Sequence, residues 1–89
     1  MSDKALVMLK HMRKQILMQG TRAASVWRAA RSIGLKPEDV EFDALFKELL
    51  RGRYIEPYPS PSLAANGLYR LTDTGISAAD EADSGSPLR

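Results

Sequence analysis

Apolar residues recur three and four apart along the first part of the chain, at Leu6, Leu9, Met12, Ile16 and Leu17. That spacing predicts a helix from Asp3 to Gln19 with this stripe turned toward the core. Ser2 or Asp3 can cap its start, and Gly20 ends it. Val7, Met8 and Met18 are apolar as well and widen the stripe beyond one face. Such width fits a second contact, such as a dimer partner, and fits equally a small core that uses flexible methionines to fill gaps. A second helix is expected from Thr21 to Ile33, after a short extended piece at Thr21-Arg22. Its start can fall anywhere between Thr21 and Ser25, because Ser25 is itself a good cap. Val26, Ala29, Ala30 and Ile33 form its inward stripe, Trp27 is expected at the shoulder of the core, and Gly34 stops the helix. The third helix opens at Lys36-Pro37-Glu38-Asp39 and buries Phe42, Leu45, Phe46 and Leu49.

From Gly52 onward the period changes. Arg53-Tyr54-Ile55-Glu56 and Leu68-Tyr69-Arg70-Leu71 are short runs with aromatic or branched residues in near alternation, as in half-buried strands. Pro57, Pro59, Pro61 and Asn66-Gly67 lie between them and turn the chain back as a loop. A two-stranded hairpin of this length is not stable alone, so the helices must cover one of its faces. Thr72 is a good cap for a last helix reaching about Ala82, packed through Ile76 and Ala79. The reading is one domain over residues 1–83, with a small-residue tail at 84–89 expected to be disordered.

Composition narrows the function. With 89 residues, 44% hydrophobic and 27% charged, the chain has the balance of a soluble globular domain. It has no cysteine and a single histidine, His11, which excludes disulfides, thiolate zinc sites and multi-histidine metal sites. His11 lies beside Lys10 near the polar face and is expected to be an exposed surface residue. No nucleophile–base pair stands out, no cofactor is expected, and the acids of helix three are spaced for solvent; the chain does not read as an enzyme. Apolar runs are far shorter than the roughly twenty residues needed to cross a bilayer. With no signal-peptide pattern at Met1-Ser2-Asp3-Lys4, a cytoplasmic location is expected.

The net charge of +2 is unevenly spread. Lys4, Lys10, Arg13, Lys14, Arg22, Arg28, Arg31 and Lys36 face one acid, Asp3, within residues 1–36. Residues 37–56 reverse the sign, with Glu38, Asp39, Glu41, Asp43, Glu48 and Glu56 against Lys47, Arg51 and Arg53. A basic half beside an acidic one points to a polyanion-facing surface on the first.

The order helix, helix, helix, strand, loop, strand, helix resembles the winged helix-turn-helix domains of bacterial and archaeal regulators, most nearly the MarR and PadR type. Ala29-Ala30-Arg31-Ser32-Ile33-Gly34-Leu35 looks like the second helix and its turn. Leu49-Leu50-Arg51-Gly52-Arg53-Tyr54-Ile55-Glu56 looks like the exit of the recognition helix into a strand, and Tyr69-Arg70-Leu71-Thr72-Asp73-Thr74-Gly75 like the end of the hairpin. The resemblance implies an α+β fold: a three-helix core, a two- or three-stranded hairpin wing, and a short C-terminal helix. It implies a dimeric DNA-binding regulator whose third helix enters the major groove. Its reading surface would be Lys36, Glu38, Asp39, Glu41, Asp43, Ala44 and Lys47.

The chain departs from that pattern. Four acids on the reading surface would meet phosphate with repulsion, and the loop from Pro57 to Gly67 has no cation. Contact with DNA is therefore expected mainly through phosphates, from Arg13, Lys14, Arg22, Arg28, Arg31, Lys36, Lys47, Arg53 and Arg70. The alternative is a winged-helix protein-interaction module that uses the acidic third helix and the uncharged wing, with Glu38, Glu41 and Asp43 docking a basic partner or another copy of the chain. A homodimer is expected through Val7, Met8 and Met18.

Overall fold

The computed structural model describes residues 2–20 and 23–84. Thr21, Arg22 and residues 85–89 lie outside them, and with them the extended piece at Thr21-Arg22, the Arg22 contact and most of the expected tail. The chain is α+β, with helices around a three-stranded antiparallel sheet. Helix α1 (Asp3–Gln19) is followed by strand β1 (Ala23–Ser25), helix α2 (Val26–Arg31) and helix α3 (Val40–Arg51). Strand β2 (Ile55–Pro57), helix α4 (Pro61–Ala65), strand β3 (Leu68–Leu71) and helix α5 (Asp73–Ser84) complete it.

The expected α1 is present with both of its ends. The Ser2 hydroxyl accepts from the Ala5 N–H, and Gly20 takes a left-handed conformation while its N–H bonds the Ile16 carbonyl. Its buried face is rotated from the expected one: Ala5, Met8, Leu9, Met12 and Gln15 are buried, while Leu17 is 65% exposed. The cause lies in its neighbours, since α1 packs against α5, α2, β1 and α3 together. A helix surrounded on several sides has no single sequence stripe that fixes its rotation.

Strand β1 takes the place of the first turns expected for the second helix. It pairs antiparallel with β3, with Ala24 opposite Tyr69, and leaves a six-residue α2 capped by the Ser25 hydroxyl. Strand β3 is thus central, in the order β1-β3-β2. On its other side Glu56 lies opposite Arg70, and the two side chains form an ion pair across the strands. Pro57 sits on the edge strand, where its missing N–H costs no ladder bond. The hairpin loop, expected to be coil from its prolines, contains helix α4. Gly67 ends the loop at a φ of 73° with the Trp27 ring against it; Trp27, expected at the shoulder of the core, is instead 37% exposed and lies over the hairpin turn.

The third helix begins at Val40, later than expected. Asp39 holds the Lys36 N–H at 2.8 Å, so Lys36, Pro37 and Glu38 form a turn ahead of the helix. Phe42, Leu45 and Leu49 are buried as expected. Phe46 is half-buried; it stacks on Phe42 at 5.7 Å and meets the edge of Tyr69 at 5.0 Å.

The exit of α3 is joined to the entry of α5. Arg53 carries the left-handed turn at a φ of 57°, a position glycine would occupy without strain. Glycine stands one residue earlier because the Tyr54 ring lies on Gly52, leaving no room for a Cβ there. Thr72 donates to the Arg53 carbonyl at 2.5 Å and accepts from the Gly75 N–H at 3.0 Å, as the expected helix cap. Helix α5 runs on to Ser84, where the tail was expected to begin, and packs Ala79 and Ile76 against the core.

A Cβ on Gly75 would sit 2.0 Å from the Tyr54 carbonyl oxygen. Gly75→Ala is therefore expected to destabilise the fold by about 2 kcal/mol, despite the roughly 1 kcal/mol that alanine gains in a helix. Gly34→Ala, at a φ of 80° with open space around it, should cost about 1 kcal/mol from backbone strain alone. Urea unfolding of the two variants checks the order.

Candidate anion-binding groove

Between α1 and α2 runs a groove with His11 at its middle. His11 borders three adjoining clefts: one with Arg28, Arg31 and Ser32, one with Val7, Lys10 and Lys14, and one with Met18 and Gln19. Val7, His11, Lys14 and Met18 succeed each other at helical spacing along α1, which is why one face carries them all. Arg28 and Arg31 come from the other wall, in the last turn of α2. With a second helix beginning as early as Thr21 they would fall in its middle and beyond; the start of α2 at Val26 puts them in its last turn. No acid occurs between Lys4 and Pro37, so both walls are basic without a counter-charge of their own.

A buried amide sets this geometry. Gln15 accepts from the Ser25 N–H at 2.8 Å and donates to the Ser25 carbonyl at 2.9 Å. Strand β1 is an edge of the sheet, and the Gln15 side chain occupies the position a further strand would take. Ser25 also caps α2, so one side chain ties α1 to the start of the opposite wall. The same amide nitrogen lies 3.1 Å from His11 Nδ1. Because the oxygen end is taken by Ser25 N–H, the nitrogen end must donate, and Nδ1 must accept. His11 is thereby held as the neutral Nε2–H tautomer. Burial holds its pKa below the usual 6.5, and Lys14 and then Arg28 push it the same way. Half-buried and centred in the groove, His11 is not the plain surface residue expected from sequence.

The remaining candidate cations are dispersed. Arg13 pairs with Asp80 of α5 at 3.1 Å, Lys47 with Asp43 at 3.0 Å, and Arg70 with Glu56. Lys36 lies in the turn before α3, and Arg53 beyond its end. The acidic candidates are also largely engaged: Glu41 holds Lys4 at 2.5 Å and Asp43 holds Lys47, while Glu38 precedes the helix. Glu48 accepts from the Ser2 N–H and hydroxyl, which hold its carboxyl below the usual range. Of the three dimer candidates, Met8 is fully buried between the helices and is unavailable to a partner. Val7 and Met18 are exposed. Gln15 was missed; its sequence signal is a polar residue inside an apolar helical stripe.

Among the described residues no helix is long and apolar enough to cross a membrane. Comparison with protein-family models, with curated proteins and with solved structures gave no match.

Gln15→Leu leaves the Ser25 N–H and carbonyl without these partners and is expected to cost about 2–4 kcal/mol in urea unfolding. His11 adds a pH dependence. Its folded pKa lies below its unfolded one, so its contribution is complete above pH 6.5 and lost as pH falls from there toward the folded value. Unfolding midpoints measured between pH 5 and 8 should fall on acidification, and less so in His11→Asn.

Proposed function

We propose that this chain is a small winged-helix DNA-binding protein that grips the duplex mainly through its phosphates, using the α1–α2 groove. The observation that carries the reading is the convergence of Lys14, Arg28 and Arg31 on an acid-free groove, with Lys10 on its rim. The element order and the sheet order β1-β3-β2 support the winged-helix part of the reading. The charge distribution argues for a contact other than groove reading by the third helix. Glu41, Asp43 and Lys47 on α3 are neutralised within the chain, and a helix so occupied offers bases little. Phosphate contacts fix position without reading sequence, so weak sequence preference follows. A transcriptional regulator or accessory factor fits this behaviour. Docking of a basic protein on α3 has less support, because the acids that would receive it already hold Lys4 and Lys47.

Neutralising about three phosphates should weaken binding to a labelled duplex about 40-fold between 50 and 200 mM salt, read by fluorescence anisotropy. Arg28→Glu with Arg31→Glu should abolish binding, while Lys47→Ala changes it little. An affinity that does not vary with salt, or a double reversal that binds like the natural chain, would sink the proposal.

A further inference from the structure

The groove contains one polar group that is not a cation. Gln15 spends one amide hydrogen on the Ser25 carbonyl and the other on His11 Nδ1, so the imidazole has a single proton-bearing atom left, Nε2. Among the described residues nothing bonds Nε2, and the ring borders all three clefts. The charged groups around it are Lys10 and Lys14 from α1 and Arg28 and Arg31 from α2, all cationic. A proton added at Nδ1 would face the Gln15 N–H group, donor against donor, and four positive side chains. The ring is therefore built to stay uncharged in a basic setting.

We infer that His11 is a neutral, directional donor to one phosphodiester oxygen in the groove, with Lys14, Arg28 and Arg31 supplying the charge around it. This rests on the nucleic-acid reading above and gives it a defined contact. A flexible lysine meets a phosphate as a point charge at many angles, and an arginine fork swings on a long stem, whereas an imidazole fixed by Gln15 meets one at a single place. A cation that meets phosphate releases a counterion, and a neutral donor does not. The two kinds of contact therefore separate in a salt titration.

His11 is the single histidine, so a long-range proton–nitrogen NMR spectrum reports it without assignment. At pH 7.5 the free protein should show the Nε2–H tautomer, and added duplex should shift that signal with the saturation seen by anisotropy. His11→Phe keeps a ring and removes the donor. It should bind about tenfold more weakly with the log–log salt slope unchanged, whereas Lys14→Ala should lower the slope by about 0.9. His11→Asn, checked for fold by circular dichroism, should keep part of the affinity. A Nδ1–H tautomer, a His11→Phe protein that binds like the natural chain, or a slope reduced by about one would overturn the inference while leaving the groove reading intact. A natural chain that ignores duplex at low salt would overturn both. Binding to phosphatidylglycerol vesicles in its place would likewise overturn both, with lipid as the source of the phosphate.

Discussion

The Gln15 amide adds a directional tie between parts of the chain that apolar packing already brings together, α1 against β1 and α2. It is buried, all of its hydrogen-bonding capacity toward β1 is used, and it satisfies the backbone of an edge strand that would otherwise present an open N–H and carbonyl to a helix. A buried amide left half-satisfied would cost more than an apolar residue in its place, so the arrangement is stable only when α1 and β1 sit at one distance and one rotation. Through Ser25, which caps α2, that distance becomes the width of the groove.

The rest of the fold can be seen as the frame that makes this contact possible. Strand β3 lies between β1 and β2, and the Glu56–Arg70 pair and the Phe46–Tyr69 edge contact fix it against the hairpin and α3. The junction at Arg53, Tyr54, Thr72 and Gly75 then sets where α5 begins, and α5 closes on α1. Close approach at Gly52 and Gly75 leaves no freedom there; the strain at Arg53 follows from the Tyr54 ring taking the space over Gly52. One end of the molecule is thus rigidly tied while the α1–α2 face stays open.

Charge is sorted by the same frame. Cations that fall near acids from other elements are neutralised: Lys4 by Glu41, Arg13 by Asp80, Arg70 by Glu56. At exposed positions such pairs contribute little stability, but they remove charge from the surface available to a ligand. What remains concentrated is the groove, where Lys14, Arg28 and Arg31 come from a stretch with no acid between Lys4 and Pro37. The neutral histidine within it is a consequence of the amide that holds the walls together, so structure and proposed contact share one origin.

Much of this was legible in the residues. Helical spacing located α1 and the buried face of α3, Ser2, Ser25 and Thr72 marked helix starts, and Gly20 marked an end, because these are local effects of backbone and side chain. Helix α2 stops at Arg31, short of the expected Ile33, and Gly34 lies in the turn beyond it. The acid-free run up to Pro37 was equally plain. Other features were not local. Strand β1 exists because β3 pairs with it, and three residues of Ala-Ala-Ser carry no strand signal of their own. The rotation of α1, which buries Met8 and exposes Leu17, is set by four packed neighbours rather than by its apolar stripe. Which cations stay available is decided by acids distant in sequence. Gln15 and His11 show the limit most clearly: four residues apart on one helix, they acquire a meaning only when Ser25 arrives from another element to fix which end of the amide points at the ring.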